Sequence, residues 1–207
     1  EWERHTDLGT RLAGPVDDFK PPAHWTRKQL RSMGRVSQLA VRAAEMAVDD
    51  AGLLGAPVVS SGAMGVACGS SVGSTADIRD FAQTLITGRS EGLNANSYVR
   101  MMPHTTAANV GIFFQLRGRI IPTSSACTSA SQGIGFAYEA IRHGYQSVML
   151  GGGAEELCPS EAMAFDKLYA TSQRNSEPGA TPRPYDQDRD GLVVGEGAGM
   201  LVLEELE

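Results

Sequence analysis

The chain has 207 residues, 42% hydrophobic and 20% charged, which suits one large folded domain or one and a half small ones and excludes a disordered chain. A net charge of −6 argues against nucleic acid as the main partner, and no run approaches the ~20 apolar residues of a bilayer span. Three cysteines, sparse and odd in number, argue against a disulfide framework and point to a reducing, cytoplasmic compartment; no secretory signal peptide opens the chain.

Residues 1–22 show weak periodicity and carry turn signals at Gly9, Gly14-Pro15 and Pro21-Pro22. Thr26 is placed to cap a helix over 27–35, with Gly34 as a break or a close packing point. Val36, Leu39, Ala40, Ala43, Ala47 and Ala51 share one face of the next helix, and Gly52 ends it. Met64 to Gly69 is a short apolar run of the kind buried in a parallel sheet. A small-residue loop at 70–74 leads into a helix from Thr75 or Asp77 to Ile86, stopped by Gly88. A charge-poor, buried helix follows at 105–116, then a strand at 120–125 and a long helix at 127–142. The third strand, 146–150, ends in Gly151-Gly152-Gly153, and 160–169 is helical. A polar loop with three prolines covers 171–189, and Leu201-Val202-Leu203 forms a last strand. Strand–helix alternation of this kind predicts an α/β fold with a largely parallel sheet.

Cys127 stands in Ser124-Ser125-Ala126-Cys127-Thr128-Ser129-Ala130, where the extended run gives way to the helical one. The free N–H groups and positive dipole end of a helix N-terminus favour a thiolate over a thiol, and a thiolate is a covalent nucleophile. Small neighbours on both sides leave room for a substrate, which separates Cys127 from an ordinary packing cysteine. Cys68, in an apolar strand, and Cys158, before a proline, read as packing residues. No CxxC or zinc spacing is present.

Four segments in series resemble the β-ketoacyl-ACP synthases of the thiolase-like condensing enzymes. They are Ser125-Ala126-Cys127-Thr128-Ser129-Ala130 with Gly133 and Gly135, then Gly151-Gly152-Gly153-Ala154-Glu155. Arg183-Pro184-Tyr185-Asp186-Gln187-Asp188-Arg189-Asp190-Gly191 and Gly195-Glu196-Gly197-Ala198-Gly199 complete the series. The resemblance implies a thiolase-like αβαβα layered fold. It identifies 1–207 as the N-terminal half, without the family's first strand and its C-terminal half. The family's two catalytic histidines and its lysine would lie beyond Glu207; none of His5, His24, His104 and His143 sits in a matching motif. His104 reads instead as a helix cap or packing residue.

The same resemblance implies the chemistry. Cys127 would accept an acyl group from an acyl carrier protein, with its own backbone N–H as one oxyanion donor. A malonyl thioester would then lose carbon dioxide and attack the acyl-enzyme. Val72, in the 70–74 loop, matches the position that meets the acyl tail. Arg27, Arg31 and Arg35 fall at helical spacing beside Lys28, and Lys28 and Arg31 match family positions that dock the acidic carrier; Ser32 departs from a basic position. The strand at 119–125 would lie at the interface of a homodimer or a ketosynthase heterodimer. No cofactor is implied, and no metal. Asp186, Asp188 and Asp190 superficially resemble a calcium loop, but Gly197 stands where its glutamate belongs, so charge pairing with Arg183 and Arg189 is the expectation. The rival functions are a coenzyme A-dependent thiolase-like acyltransferase and a non-catalytic partner subunit; the chain-length-factor partners lack the cysteine.

Overall fold

The structure, a computed structural model, describes residues 5–206. Two compact units divide them: a larger one of Phe19–Glu156 with the chain from Gly197 onward, and a smaller one joining the segment up to Asp18 to Leu157–Glu196.

The larger unit is built on a four-stranded sheet of β1 (Met64–Gly69), β2 (Ile120–Thr123), β3 (Val148–Glu155) and β4 (Gly197–Glu204), ordered β2-β1-β3-β4. β1 runs parallel to β2 and β3, and β4 is antiparallel to β3, so the sheet is mixed and mostly parallel. β1 is buried along its whole length, as its uninterrupted apolar run predicts. Successive residues face opposite layers. Met64, Val66, Cys68, Val148 and Leu150 meet α2 (Arg35–Asp50) and α6 (Thr105–Phe113) on one side. Ala67 and Met149 meet Ala137 and Ala140 of α7 (Ser129–Arg142) on the other. The result is a helix–sheet–helix stack with α7 on the second face.

Several elements differ from expectation. The basic helix α1 covers only Arg27–Leu30, held by a capping box in which Thr26 and Gln29 bond reciprocally. It stops because Ser32 turns inward to donate to Asn109 Oδ1 (2.8 Å), while Gly34 passes so close to Ser74 that a Cβ there would collide with it. Val36, Leu39 and Ala40 of the expected α2 stripe are buried, but beyond them the stripe turns from the alanine face: Ser37, Val41, Ala44 and Val48 are buried, and Ala51 is exposed. Glu45 is buried with them; burial alone would raise its pKa, but bonds from His24 (2.6 Å), Arg42 (2.6 Å) and Trp25 outweigh that and lower it. Short helices α3 (Pro57–Ser61) and α5 (Ala95–Arg100) have too few turns to show a period. Between α3 and α5 lies α4 (Thr75–Thr87), ended by Gly88 in the left-handed conformation as expected.

β3 does not end at its glycines but runs through them. Gly151 faces Ala137 and Ile134 of α7, and a Cβ on Gly153 would lie 2.6 Å from the Gly69 carbonyl. Glycine is what this helix-to-sheet approach requires, so here it sustains the strand. Immediately after, the Glu156 carboxylate accepts from the N–H groups of Val36 (3.2 Å) and Thr75 (3.2 Å). It therefore caps the N-termini of α2 and α4, whose own N-cap residues Gly34 and Ser74 make no side-chain cap bond.

In the smaller unit, α8 (Pro159–Lys167) packs with the N-terminal segment. Asp166 accepts from the Thr171 hydroxyl (2.6 Å), the N–H groups of Gly9 (2.7 Å) and Thr10 (3.1 Å), and Gln173 (3.2 Å). Those bonds, Thr171's foremost, hold its pKa at about 2. The Glu196 carboxylate accepts from the N–H groups of Val16 (2.9 Å) and Leu157 (3.3 Å). In the polar loop, the expected pairing is corrected: Asp190 bonds Ser172 and Gln173 and pairs with Arg174 (3.3 Å). Arg183 and Arg189 donate instead to the carbonyls of Asp188 and Asp186, because the tight turns bring backbone oxygens nearer than carboxylates.

A Cβ at Gly133 would lie 2.7 Å from the carbonyl oxygens of both Ala67 and Gly152. Gly133→Ala should destabilise the protein by about 2 kcal/mol in urea titration, the overpacking cost exceeding the ~1 kcal/mol gain in helix propensity. Asp166 has a folded pKa below its unfolded value of 3.8, so its stabilisation is present above pH 4 and lost as pH falls toward about 2. Asp166→Asn should cost stability at pH 7 and flatten the acid limb of stability between those pH values, measured by denaturant titration across the range.

Candidate active site

The connection from β2 to α7 carries Cys127, and its polar groups are used to hold its own shape. The Thr123 hydroxyl donates to the Ser129 carbonyl (2.8 Å), and the Ser129 hydroxyl donates to the Ala126 carbonyl (2.7 Å). The Ser125 N–H donates to Ser129 Oγ (2.9 Å), and the Thr128 hydroxyl donates to the Ser125 carbonyl (2.8 Å). Ala126 is held at φ 54°, a conformation that L side chains adopt at a cost of about 1–3 kcal/mol. The residue after this strained position is Cys127, and its side chain is exposed. α7 begins at Ser129 with Thr128 as its N-cap, so Cys127 precedes the first helical turn rather than opening it.

The other two cysteines differ in kind. Cys68 is fully buried in β1, and burial pushes its thiol up to about 12. Cys158 is buried at the N-cap of α8, its Sγ 2.8 Å from Ser160 Oγ. Both fit the packing role. His143 caps the far end of α7, about 20 Å along the axis from the Cys127 turn. His104 occupies the N-cap of α6 but makes no side-chain cap bond and is exposed, so neither capping nor packing describes it. Among the described residues, no group of three or more His, Cys, Asp or Glu is placed to hold a metal ion. No described helix is long and apolar enough to cross a membrane.

Val72 is half-buried in the loop between β1 and α4. That loop is tied to the Cys127 turn by a bond the sequence pattern does not reveal: the Ser124 hydroxyl donates to the Ser70 carbonyl (3.0 Å). Glu155, at the end of β3, accepts from the Ser70 hydroxyl (2.8 Å) and the Ser71 N–H (2.6 Å). The only sequence signal for these contacts is the position of Glu155 after three glycines at a strand end.

The basic residues are reorganised relative to a single stripe. Arg27 and Lys28 are exposed on α1 and Arg31 is exposed at its C-cap, whereas Arg35 starts α2 after the break. The Arg31 carbonyl accepts from Arg100 (3.3 Å), itself paired with the buried Asp77 carboxylate (2.7 Å). Lys28 also borders a groove of about 250 Å³ lined by Ser32, Met33, Asn109, Ile112 and Phe113.

The family model described as the N-terminal domain of β-ketoacyl synthase matches residues 1–207. A curated relative from Vibrio cholerae, 3-oxoacyl-[acyl-carrier-protein] synthase 2, is 36% identical over 98% of this chain and 49% of its own length. A polyketide β-ketoacyl synthase from Streptomyces cyaneus is 33% identical over 97% of this chain and 49% of its own. The chain thus spans about half the length of the curated relatives it matches. A solved β-ketoacyl synthase from Burkholderia phymatum superposes with TM-score 0.95 at 58% identity, covering 99% of this chain and 50% of that one. The ishigamide ketosynthase/chain length factor structure gives TM-score 0.75 at 29% identity, over 96% of this chain and 48% of that one.

Exposure should sort the thiols. In native protein at pH 8, iodoacetamide should modify Cys127 at least ~100-fold faster than Cys68, and Cys127→Ala should remove the fast phase, read by peptide mapping.

Proposed function

The chain belongs to the β-ketoacyl synthase family, and on that premise we propose that it is the nucleophile-bearing half of a 3-oxoacyl-acyl-carrier-protein synthase. The observation that carries this reading is an exposed cysteine after a strained residue in a turn whose polar groups are internally bonded. Cys127, as thiolate, attacks the carbonyl carbon of an acyl thioester on the carrier. The tetrahedral oxyanion takes a hydrogen bond from the Cys127 N–H. Collapse expels the carrier's thiolate and leaves the acyl group on Sγ. A malonyl thioester then loses carbon dioxide, and its carbanion attacks the acyl-enzyme to give a 3-ketoacyl product two carbons longer, returning the cysteine thiolate. This chain supplies the acyl-transfer step; the 3-oxoacyl-acyl-carrier-protein synthase and polyketide synthase names among the relatives support either a fatty-acid or a polyketide product.

Lys28 and Arg31, with Arg27, form the face that receives the acidic carrier, since all three are exposed around one short helix. Val72 borders the acyl tail. β2 lies at one edge of the sheet with Ile120 and Pro122 exposed, which supports a subunit interface along 119–125 in a homodimer or a ketosynthase heterodimer. Three free cysteines accord with a reducing, cytoplasmic setting. The exposed Cys127 favours a catalytic chain over a non-catalytic partner subunit, and the basic face favours a carrier protein over free coenzyme A as donor.

Incubation of the complete polypeptide with an acyl-carrier donor should add one acyl mass, mapped to Cys127 and absent in Cys127→Ala; no adduct on the wild type would contradict the assignment. Lys28→Glu with Arg31→Glu should raise KM for the carrier donor about tenfold while leaving iodoacetamide reactivity unchanged, and added salt should weaken carrier binding to the wild type.

A further inference from the structure

We propose that Glu155 is a positioning residue that sets the acyl-tail loop and the Cys127 turn in register with each other; this rests on the reading of Cys127 as acyl acceptor and Val72 as tail contact. Both carboxylate oxygens are committed to one loop, Oε1 to the Ser70 hydroxyl (2.8 Å) and Oε2 to the Ser71 N–H (2.6 Å). Ser70 is 1% exposed, and its oxygen also accepts from the Gly73 N–H (3.0 Å). The single hydroxyl proton therefore points at Glu155 and the lone pairs at Gly73, which closes the loop around Val72. Gly73, at φ +89°, abuts the Met101 carbonyl, so the loop has no slack on that side. The Ser70 carbonyl then receives the Ser124 hydroxyl (3.0 Å), three residues before Cys127.

The anchor of this chain of bonds is rigid. Glu155 is the last residue of β3 and pairs with Gly197 of β4, while its neighbour Glu156 caps α2 and α4. A site held from a sheet terminus keeps its geometry better than one held by loops alone. Removing the carboxylate strips the buried Ser70 hydroxyl and the Ser71 N–H of their acceptor, and the loop must move to find another. Movement there changes where Val72 stands and releases the Ser124 contact with it.

The test is self-acylation of the complete polypeptide by short- and long-chain acyl-carrier donors. Glu155→Ala should lower kcat/KM by about tenfold for the long donor and by less than about threefold for the short one, a change in selectivity that mere loss of folded protein would not produce. Glu155→Gln, retaining one acceptor oxygen, should recover part of that selectivity. Ser124→Ala, at an exposed position, should slow acylation by all donors about threefold. Iodoacetamide, too small to need the loop, should alkylate Cys127 in each folded variant at close to the wild-type rate. An unchanged chain-length profile in Glu155→Gln and an unchanged rate in Ser124→Ala would overturn the proposal, and those two variants decide it should Glu155→Ala fail to fold. A wild-type protein that takes no acyl group would instead overturn the underlying assignment of Cys127.

Discussion

Helix α7 lies on the sheet with no side chain between them at Gly133, so the helix axis is set by backbone contact with the carbonyls of Ala67 and Gly152. Gly151 and Gly153 on β3 make the same allowance from below, meeting Ala137 and Ala130. Contact of that kind leaves little freedom to slide, because interiors at this density transmit displacement rather than absorb it. The start of α7 inherits the constraint. Ser129 holds Ala126 through its hydroxyl and Thr123 through its carbonyl, so the turn and the strand end are fastened to the first residue of a fixed helix. The height of Cys127 above the ends of β1 and β3 is thus decided by glycines along the sheet, well before any residue of the turn is considered.

The strain at Ala126 belongs to the same economy of position. A positive φ redirects the chain between Ser125 and Cys127, and four bonds made by the side chains of Thr123, Thr128 and Ser129 to the backbone of Ser125, Ala126 and Ser129 oppose its relaxation. Each such bond is worth about 1 kcal/mol net, enough together to hold one unfavourable residue. Serine and threonine suit the task because they fasten backbone locally without bulk. Their abundance around Cys127 therefore has a mechanical reason.

Much of the larger unit was legible in the sequence where periodicity and composition act locally. β1 and α4 lie within a residue of expectation because an unbroken apolar run and a glycine stop carry their own explanation. Cys127 stood out by its place between a strand and a helix. The structure departs from the local pattern where a distant contact outweighs local preference. Three glycines suggest the end of a strand, yet α7 and β4 make them its middle. The basic stripe suggests one helix, yet Ser32 and Gly34 answer to Asn109 and Ser74, and split it. The buried face of α2 turns away from Ala51 because Val41 and Val48 offer more apolar surface than the alanines they displace.

The two glutamates that close β3 mark the limit of local reading most clearly. Adjacent on the strand, they send their carboxylates to different partners: Glu155 to the loop after β1, Glu156 to the first turns of α2 and α4. Glu156 replaces a cap that both helices lack, since Gly34 has no side chain and the Ser74 side chain makes no cap bond, while Glu155 adds to a loop that Ser70 and Gly73 already close. The donors lie between 81 and 120 residues away in sequence, so no window of helical or strand period contains both halves of the interaction. A helix that seems uncapped in sequence is then better treated as one awaiting a carboxylate from elsewhere, and the end of a central strand, surrounded by the N-termini of crossover helices, is where that carboxylate is most economically supplied. In this chain the same strand end caps α2 and α4 and holds the loop that is bonded to the Cys127 turn, which ties the geometry at Cys127 to the assembly of the sheet itself.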